Sequence, residues 1–211
     1  MIKQFEFNHF GTNCYVLSDG GEAVIVDPGM VNLHEDDALY SYIDSIGAKV
    51  VAVVLTHAHV DHIAGLRNAL EHYGLPVGCH SDSRKLLRQA SAYGSVMGFE
   101  VEAMDDLPVQ ELKEGNVIKV GSLEIECREV PGHCEGSLAF VVGKERKVIT
   151  GDALFRGSIG RTDLPGGNYD RLAASIREKL LVLEDDYSVL PGHGDCSTIG
   201  DERNNPFLFG L

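Results

Sequence analysis

The segment LTHAHVDHIAG, residues 55–65, places His57, His59, Asp61 and His62 within six positions, directly after the apolar run VVAVVL. Neutral imidazole and carboxylate together form the ligand set of a divalent cation. In an extended chain His57, His59 and Asp61 alternate with Ala58 and Val60 and point to one side, while His62 starts the next helix and turns toward a neighbouring point. Three more candidates share that context: His133 follows LEIECREV and a PG, Asp152 follows KVIT and a Gly, and His193 follows YSVL and a PG. Each lies just past the carboxyl end of an apolar run, where connecting loops carry function. The spacing suits two metals. His57, His59 and His133 would hold the first, Asp61, His62 and His193 the second, and Asp152 would bridge them. Two divalent cations bring about +4, and Asp61, Asp152 and a bridging hydroxide remove about three units, which leaves a site able to polarise a substrate oxygen. Metals about 3.5 to 4 Å apart lower the pKa of a shared water toward about 7. Gly132, Gly151 and Gly192 stand immediately before a ligand and let the backbone turn sharply there. His9, His34, His72 and His80 lack such a context, and His72 falls on the polar face of its helix.

The elements that must position these groups are legible as runs. IKQFEF, NCYVLSD and EAVIVDPG read as strands separated by turn residues, and KVVAVVLT, PVGCH, SLAFVVG, KVITGD and YSVLPGHG as further strands. ELKEGNVIKVGSLEIECREVPGH holds two or three more. Helical spacing of apolar residues predicts helices over 34–46, 61–73, 81 to about 93, and in NYDRLAASIREKLLVL. The order suggests two sheets with helices outside, a layered α/β domain.

Length and composition narrow the function classes. A chain of 211 residues, 44% hydrophobic and 24% charged, fits one globular domain. The formal charge of -14 argues against nucleic acid or an acidic membrane as partner, since either needs a basic field. No apolar stretch approaches the roughly 20 residues that span a bilayer, and MIKQFEFNHFGTNC lacks the pattern of a signal peptide. Five cysteines without a CxxC spacing fit a reducing cytoplasm.

THAHVDH, with His133 in PGHCEGS, Asp152 in TGD and His193 in PGHG, resembles the metallo-β-lactamase superfamily over nearly the whole chain. The resemblance implies a four-layer αβ/βα sandwich of two mixed β-sheets flanked by helices, with the site at one edge. Within that superfamily, GDALFRGSIGRTDLPGG and TIGDERNNPFL resemble the short relatives of glyoxalase II, the hydroxyacylglutathione hydrolases. This implies two divalent metal ions, zinc first with iron or manganese as alternatives, and a small-molecule thioester such as S-lactoylglutathione, cleaved through a metal-bridging hydroxide. Asp61 would orient that hydroxide and shuttle its proton. Arg161, in GRTD, corresponds to a basic residue facing the substrate carboxylate, the competing reading being an internal pair with Asp163; Arg156 is a second substrate-binding candidate. Only 18 residues follow His193, so residues 1–211 are expected to form a single domain without the C-terminal helical domain that helps bind glutathione. That departure leaves glutathione open as the carrier. Cys134, where the family often has Thr or Ser, is a second departure. The rival enzyme reading is a mononuclear-iron persulfide dioxygenase, which the chain resembles through GDAL and GRTD but departs from at PGHG and in lacking a Cys before GRTD. The non-enzyme reading is a metal-binding module that has lost turnover. Oligomeric state and the physiological acyl group are not encoded in these motifs.

Overall fold

The computed structural model describes residues 1–209. Its first sheet has six strands in the order β1 (Ile2–Phe7), β2 (Thr12–Asp19), β3 (Glu22–Val26), β4 (Lys49–Val54), β5 (Val77–Cys79) and β6 (Val109–Glu111). The first three pair antiparallel and the last three join in parallel. The second sheet contains β7 (Val117–Val120), β8 (Leu123–Glu129), β9 (Leu138–Val142), β10 (Lys147–Gly151), β13 (Ser188–Pro191) and β14 (Ser197–Thr198), with β10 and β13 parallel and the other pairs antiparallel. Between β10 and β13 a small hairpin, β11 (Leu154–Phe155) and β12 (Ser158–Ile159), leaves the sheet. Both main sheets are therefore mixed, as expected.

Period-two alternation assigns each strand residue to a layer. Tyr15, Leu17, Val24 and Val26 from the first sheet meet Leu123, Ile125, Cys127, Leu138, Phe140 and Ile149 from the second in the central core. The intervening residues, Cys14, Val16, Ala23 and Ile25, face the opposite way. They are covered by helices α1 (Leu33–Ser45), α2 (Val60–Ile63), α3 (Leu66–Tyr73) and α4 (Arg84–Met97). Ala139, Val141, Val148 and Val189 pack outward against α5 (Tyr169–Ser175) and the π-helical turn that continues it to Leu180. Strands buried on both faces read as unbroken apolar runs rather than alternating ones, which is why VVAVVL and LAFVV are apolar throughout.

The helix expected over 61–73 is two helices. Between them Gly65 donates its N–H to Pro28 O at 2.9 Å, and a Cβ at Gly65 would lie 2.9 Å from Met30 Cε, so contact with the segment after β3 breaks the helix. The helix expected to end near Tyr93 runs on to Met97 and stops at the left-handed Gly98. Short elements carried little pattern: β6, the β11–β12 hairpin, and the tail elements β14, α6 (Ile199–Glu202) and α7 (Pro206–Phe209). The tail is tied to the hairpin through buried Glu202, which accepts from Gly157 N and from Asn205 Nδ2.

At the edge where the apolar runs end, hydrogen bonds join the two sheets. Asn13 N donates to Gly192 O at 2.7 Å, Tyr15 OH to Pro191 O at 2.7 Å, and Leu138 N to Thr56 O at 2.7 Å. The Tyr15 bond is fully buried, so Tyr15→Phe should lower unfolding free energy by about 1 kcal/mol. Urea denaturation monitored by circular dichroism measures it, and unchanged stability would show that this cross-sheet bond contributes nothing.

Candidate metal centre

Beyond β4 the chain enters Leu55, Thr56 and His57 with Asp27, the residue after β3, beside it. Asp27 is 1% exposed and sits at φ 53°, a left-handed backbone that Asp tolerates better than most residues. Its carboxylate accepts from Thr56 N (2.7 Å), Thr56 Oγ1 (2.6 Å) and His62 Nδ1 (3.0 Å). Since Thr56 gives its hydroxyl proton to Asp27, its oxygen accepts from His57 Nδ1 at 3.0 Å. His133 Nδ1 donates to Arg161 O at 2.8 Å, and His193 Nδ1 to Phe10 O at 3.1 Å. A carbonyl or carboxylate can only accept, so these partners fix the tautomers of four rings and leave the Nε2 of each, when the ring is neutral, as a lone pair.

Those lone pairs converge. His133 Nε2 lies 2.9 Å from His59 Nδ1, and His62 Nε2 lies 3.3 Å from His193 Nε2. Donor atoms of His57, His59 and His133 fall within 4.8 Å of one another, as do those of Asp61, His62 and His193 and those of Asp27, His57 and His62. Asp27 is already committed to Thr56 and His62, which makes it a support for the rings. Asp152 faces both histidine groups: Oδ1 is 3.3 Å from His62 Nε2, and Oδ2 is 3.6 Å from His133 Nε2 and 3.5 Å from His193 Nε2. Asp61 Oδ2 lies 3.3 Å from His62 Nε2 and 3.2 Å from His193 Nε2, and accepts from buried Thr12 Oγ1 at 3.0 Å.

The electrostatics follow from this crowding. Burial pushes the Asp61 carboxyl up, but His62 and His193 outweigh it and hold it at about 2. Burial likewise opposes ionisation of Asp152, and His62 and His193 overcome it, so its pKa lies well below the usual range. His57 is driven down by burial and by His62, and His59 by burial and by His133 to about 4. His193 is pulled down by burial but raised more strongly by Asp152 and Asp61, to about 10. His62 is likewise raised, Asp61 and Asp152 overcoming its burial.

The residues fit a divalent cation. His57 Nε2 and Asp152 Oδ1 are buried with no hydrogen-bond partner, which is costly unless something else meets them. Neutral His62 and His193, their Nδ1 protons placed elsewhere, would oppose two lone pairs at 3.3 Å; only a proton or a metal ion resolves that contact. Gly192 makes the approach possible, since a Cβ there would collide with Asp152 Oδ1 and come within 2.8 Å of His62 Cε1. Gly151, at φ 50°, turns the chain into Asp152 in a conformation that favours glycine.

All seven sequence-predicted donors are thus brought to one rim. The two arginines fare differently. Arg161 lines the cleft, but its exposed guanidinium forms a two-point pair with Asp163, Nε to Oδ1 at 2.8 Å and Nη2 to Oδ2 at 2.7 Å. Its carbonyl, not its charge, reaches the histidines. Arg156 pairs with Asp195 at 3.3 Å and does not line the cleft. The Cys134 thiol is buried beside Ser137 and pushed up to about 12 by burial, so it stays protonated. Asp27 and Thr12 were not singled out by sequence, although Asp27 ends an apolar run, EAVIVDPG, as the ligands do.

A sandwich of two mixed sheets with histidine and aspartate clusters at the ends of its strands defines a metallo-hydrolase fold. The sequence profile of the metallo-β-lactamase superfamily matches residues 8–193, and the chain belongs to that superfamily. It is 40% identical to the probable metallo-hydrolase YqgX of Bacillus subtilis, covering 94% of this chain and 93% of that one. It is 35% identical to the hydroxyacylglutathione hydrolase GloC of Haemophilus influenzae, covering 94% and 93%. Among solved structures, BLEG-1 B3 metallo-β-lactamase superposes with TM-score 0.89 at 34% identity over 100% of both chains. TTHA1623 in a di-iron-bound form superposes with TM-score 0.85 at 32% identity, over 96% and 98%. Family, clusters and relatives together make the chain a metal-dependent hydrolase.

Two outcomes test the centre. In the metal-free protein His193 keeps its proton up to about pH 10 and a cation must displace it, so binding releases protons and tightens as pH rises. Competition titrations from pH 6 to 9 should show Kd falling by up to about tenfold per pH unit for each proton displaced; a flat profile contradicts the assignment. Gly192→Ala should push Asp152 aside and weaken metal retention at least about 10-fold, the scale of disturbed support around a metal site, while leaving the circular dichroism spectrum unchanged.

Proposed function

We propose that the protein hydrolyses acyl thioesters using two divalent ions, zinc first among them. Support for a pair comes from the two sets of three donors and from the Asp152 carboxylate, whose oxygens face both. His57, His59 and His133 would hold one ion and Asp61, His62 and His193 the other. Zinc and iron accept the same imidazole and carboxylate donors, and the di-iron form of TTHA1623 keeps iron as an alternative. Bound cations supply Lewis acidity and bring the pKa of water toward neutrality.

The chain's residues do the rest. Asp61, ionised at neutral pH and oriented by Thr12, accepts a hydrogen bond from the attacking water and passes its proton onward. The water oxygen bonds to the carbonyl carbon, the carbon–sulfur bond breaks, and the departing thiolate takes up a proton, giving an acid and a thiol. The 35% identity to GloC carries the thioester reading, and the complete donor set favours turnover over a silent metal-binding module. We read the protein as acting on a small molecule, with the described residues forming one domain. Among those residues no helix is long and apolar enough to cross a membrane.

A second reading, β-lactam hydrolysis, rests on the likeness to BLEG-1. Purified protein should contain close to two metal ions per chain and hydrolyse S-lactoylglutathione or simpler acyl thioesters at least about a hundredfold faster than the chromogenic lactam nitrocefin, a gap of roughly 2.7 kcal/mol in barrier. Asp152→Ala should lose both ions and the activity. One iron per chain with O₂ uptake on glutathione persulfide would overturn the proposal in favour of a dioxygenase.

A further inference from the structure

The cleft that opens onto His59, His133, Asp152 and His193 has a volume of about 220 Å³ and one distinctive wall. Leu86, Ala90, Tyr93 and Met97 of α4 recur at intervals of four, three and four, which puts them along one helical face. At 1.5 Å per residue that face is about 16 Å long. The core is served by a neighbouring stripe, Leu87, Ala90 and Gly94. Tyr93 and Met97, 37% and 36% exposed, line the cleft rather than the core, whereas Val96, 82% exposed on the same helix, does not line it. Phe10, 43% exposed and beside the C-terminal end of α4, also lines the cleft, as do Leu164 and Pro165. Phe10 is held in place by edge-on contacts with Phe99 (5.1 Å) and His9 (4.7 Å).

Charge points the same way. Arg161 is the only lysine or arginine among the described residues lining the cleft, and Asp163 already occupies its guanidinium. A carrier with several carboxylates finds no unpaired cation there.

We infer that the cleft selects thioesters with an apolar acyl group, the chain or ring lying on the α4 face of Leu86, Tyr93 and Met97 and reaching Phe10 beside the end of that helix, while the carbonyl carbon meets the histidine–aspartate rim. This rests on the thioester reading for the reaction, but the recognition is a binding property and is measurable without turnover.

The experiment uses N-acetylcysteamine thioesters from acetyl to octanoyl, and the matching ketones in which a methylene replaces sulfur. Calorimetry with the ketones should show Kd tightening about three- to fourfold per added methylene through hexanoyl, the increment of burying one CH₂. The kcat/KM of the thioesters should climb in parallel. Tyr93→Gln with Met97→Gln, both at exposed positions that tolerate polar side chains, should cut the octanoyl-to-acetyl affinity ratio at least tenfold. A Kd that does not change along the ketone series overturns the inference even if every thioester is hydrolysed. Chain-length-dependent binding without hydrolysis of any member upholds it and defeats the thioester reading instead. An undiminished ratio in the double variant removes α4 as the wall.

Discussion

The structure depends on where five imidazole rings put their protons. Asp27, Thr56 and the carbonyls of Phe10 and Arg161 are acceptors at the outer nitrogen of four rings, so the inner nitrogens are left basic and aimed at one another. A buried lone pair with nothing to meet is unfavourable, and His57 Nε2 has no partner while His62 and His193 are held protonated by Asp61 and Asp152, an arrangement that a cation in place of those protons relieves. The same acceptors are contributed by four different connections of the chain. The site therefore cannot form until both sheets are in register.

That dependence explains the placement of the centre at the edge of the sandwich. Strands buried on both faces are mostly apolar along their length, and five of the seven donor residues stand beyond the strand ends, the other two, Asp61 and His62, in the helix that follows β4. Cross-sheet bonds from Asn13, Tyr15 and Leu138 hold those ends together, so the rigidity of the core is transmitted to the rim without any long connecting loop. Positioning on rigid elements of this kind is what a metal site needs to hold its donors within a fraction of an ångström.

Much of this was legible in the residues. The donors could be found because their types are unusual directly after apolar runs, and their grouping because THAHVDH alternates in an extended chain. The layers could be found because apolar runs of five or six residues are too short for buried helices. What escaped was whatever depended on a partner remote in sequence. The break at Gly65 is imposed by Pro28 and Met30, and Asp27 is recognisable as a support only once His62 and Thr56 are beside it; the Arg161–Asp163 pair, two residues apart, was one of two readings the sequence offered and is the one the structure shows. Strands of two or three residues, such as β6 and β14, carry too few positions for any periodicity to show.

Phe10 has two attachments: its carbonyl orients His193, and its ring lines the cleft beside the end of α4. One residue therefore belongs both to the wall of the cleft and to the frame that holds His193, so a change at position 10 reaches the two together.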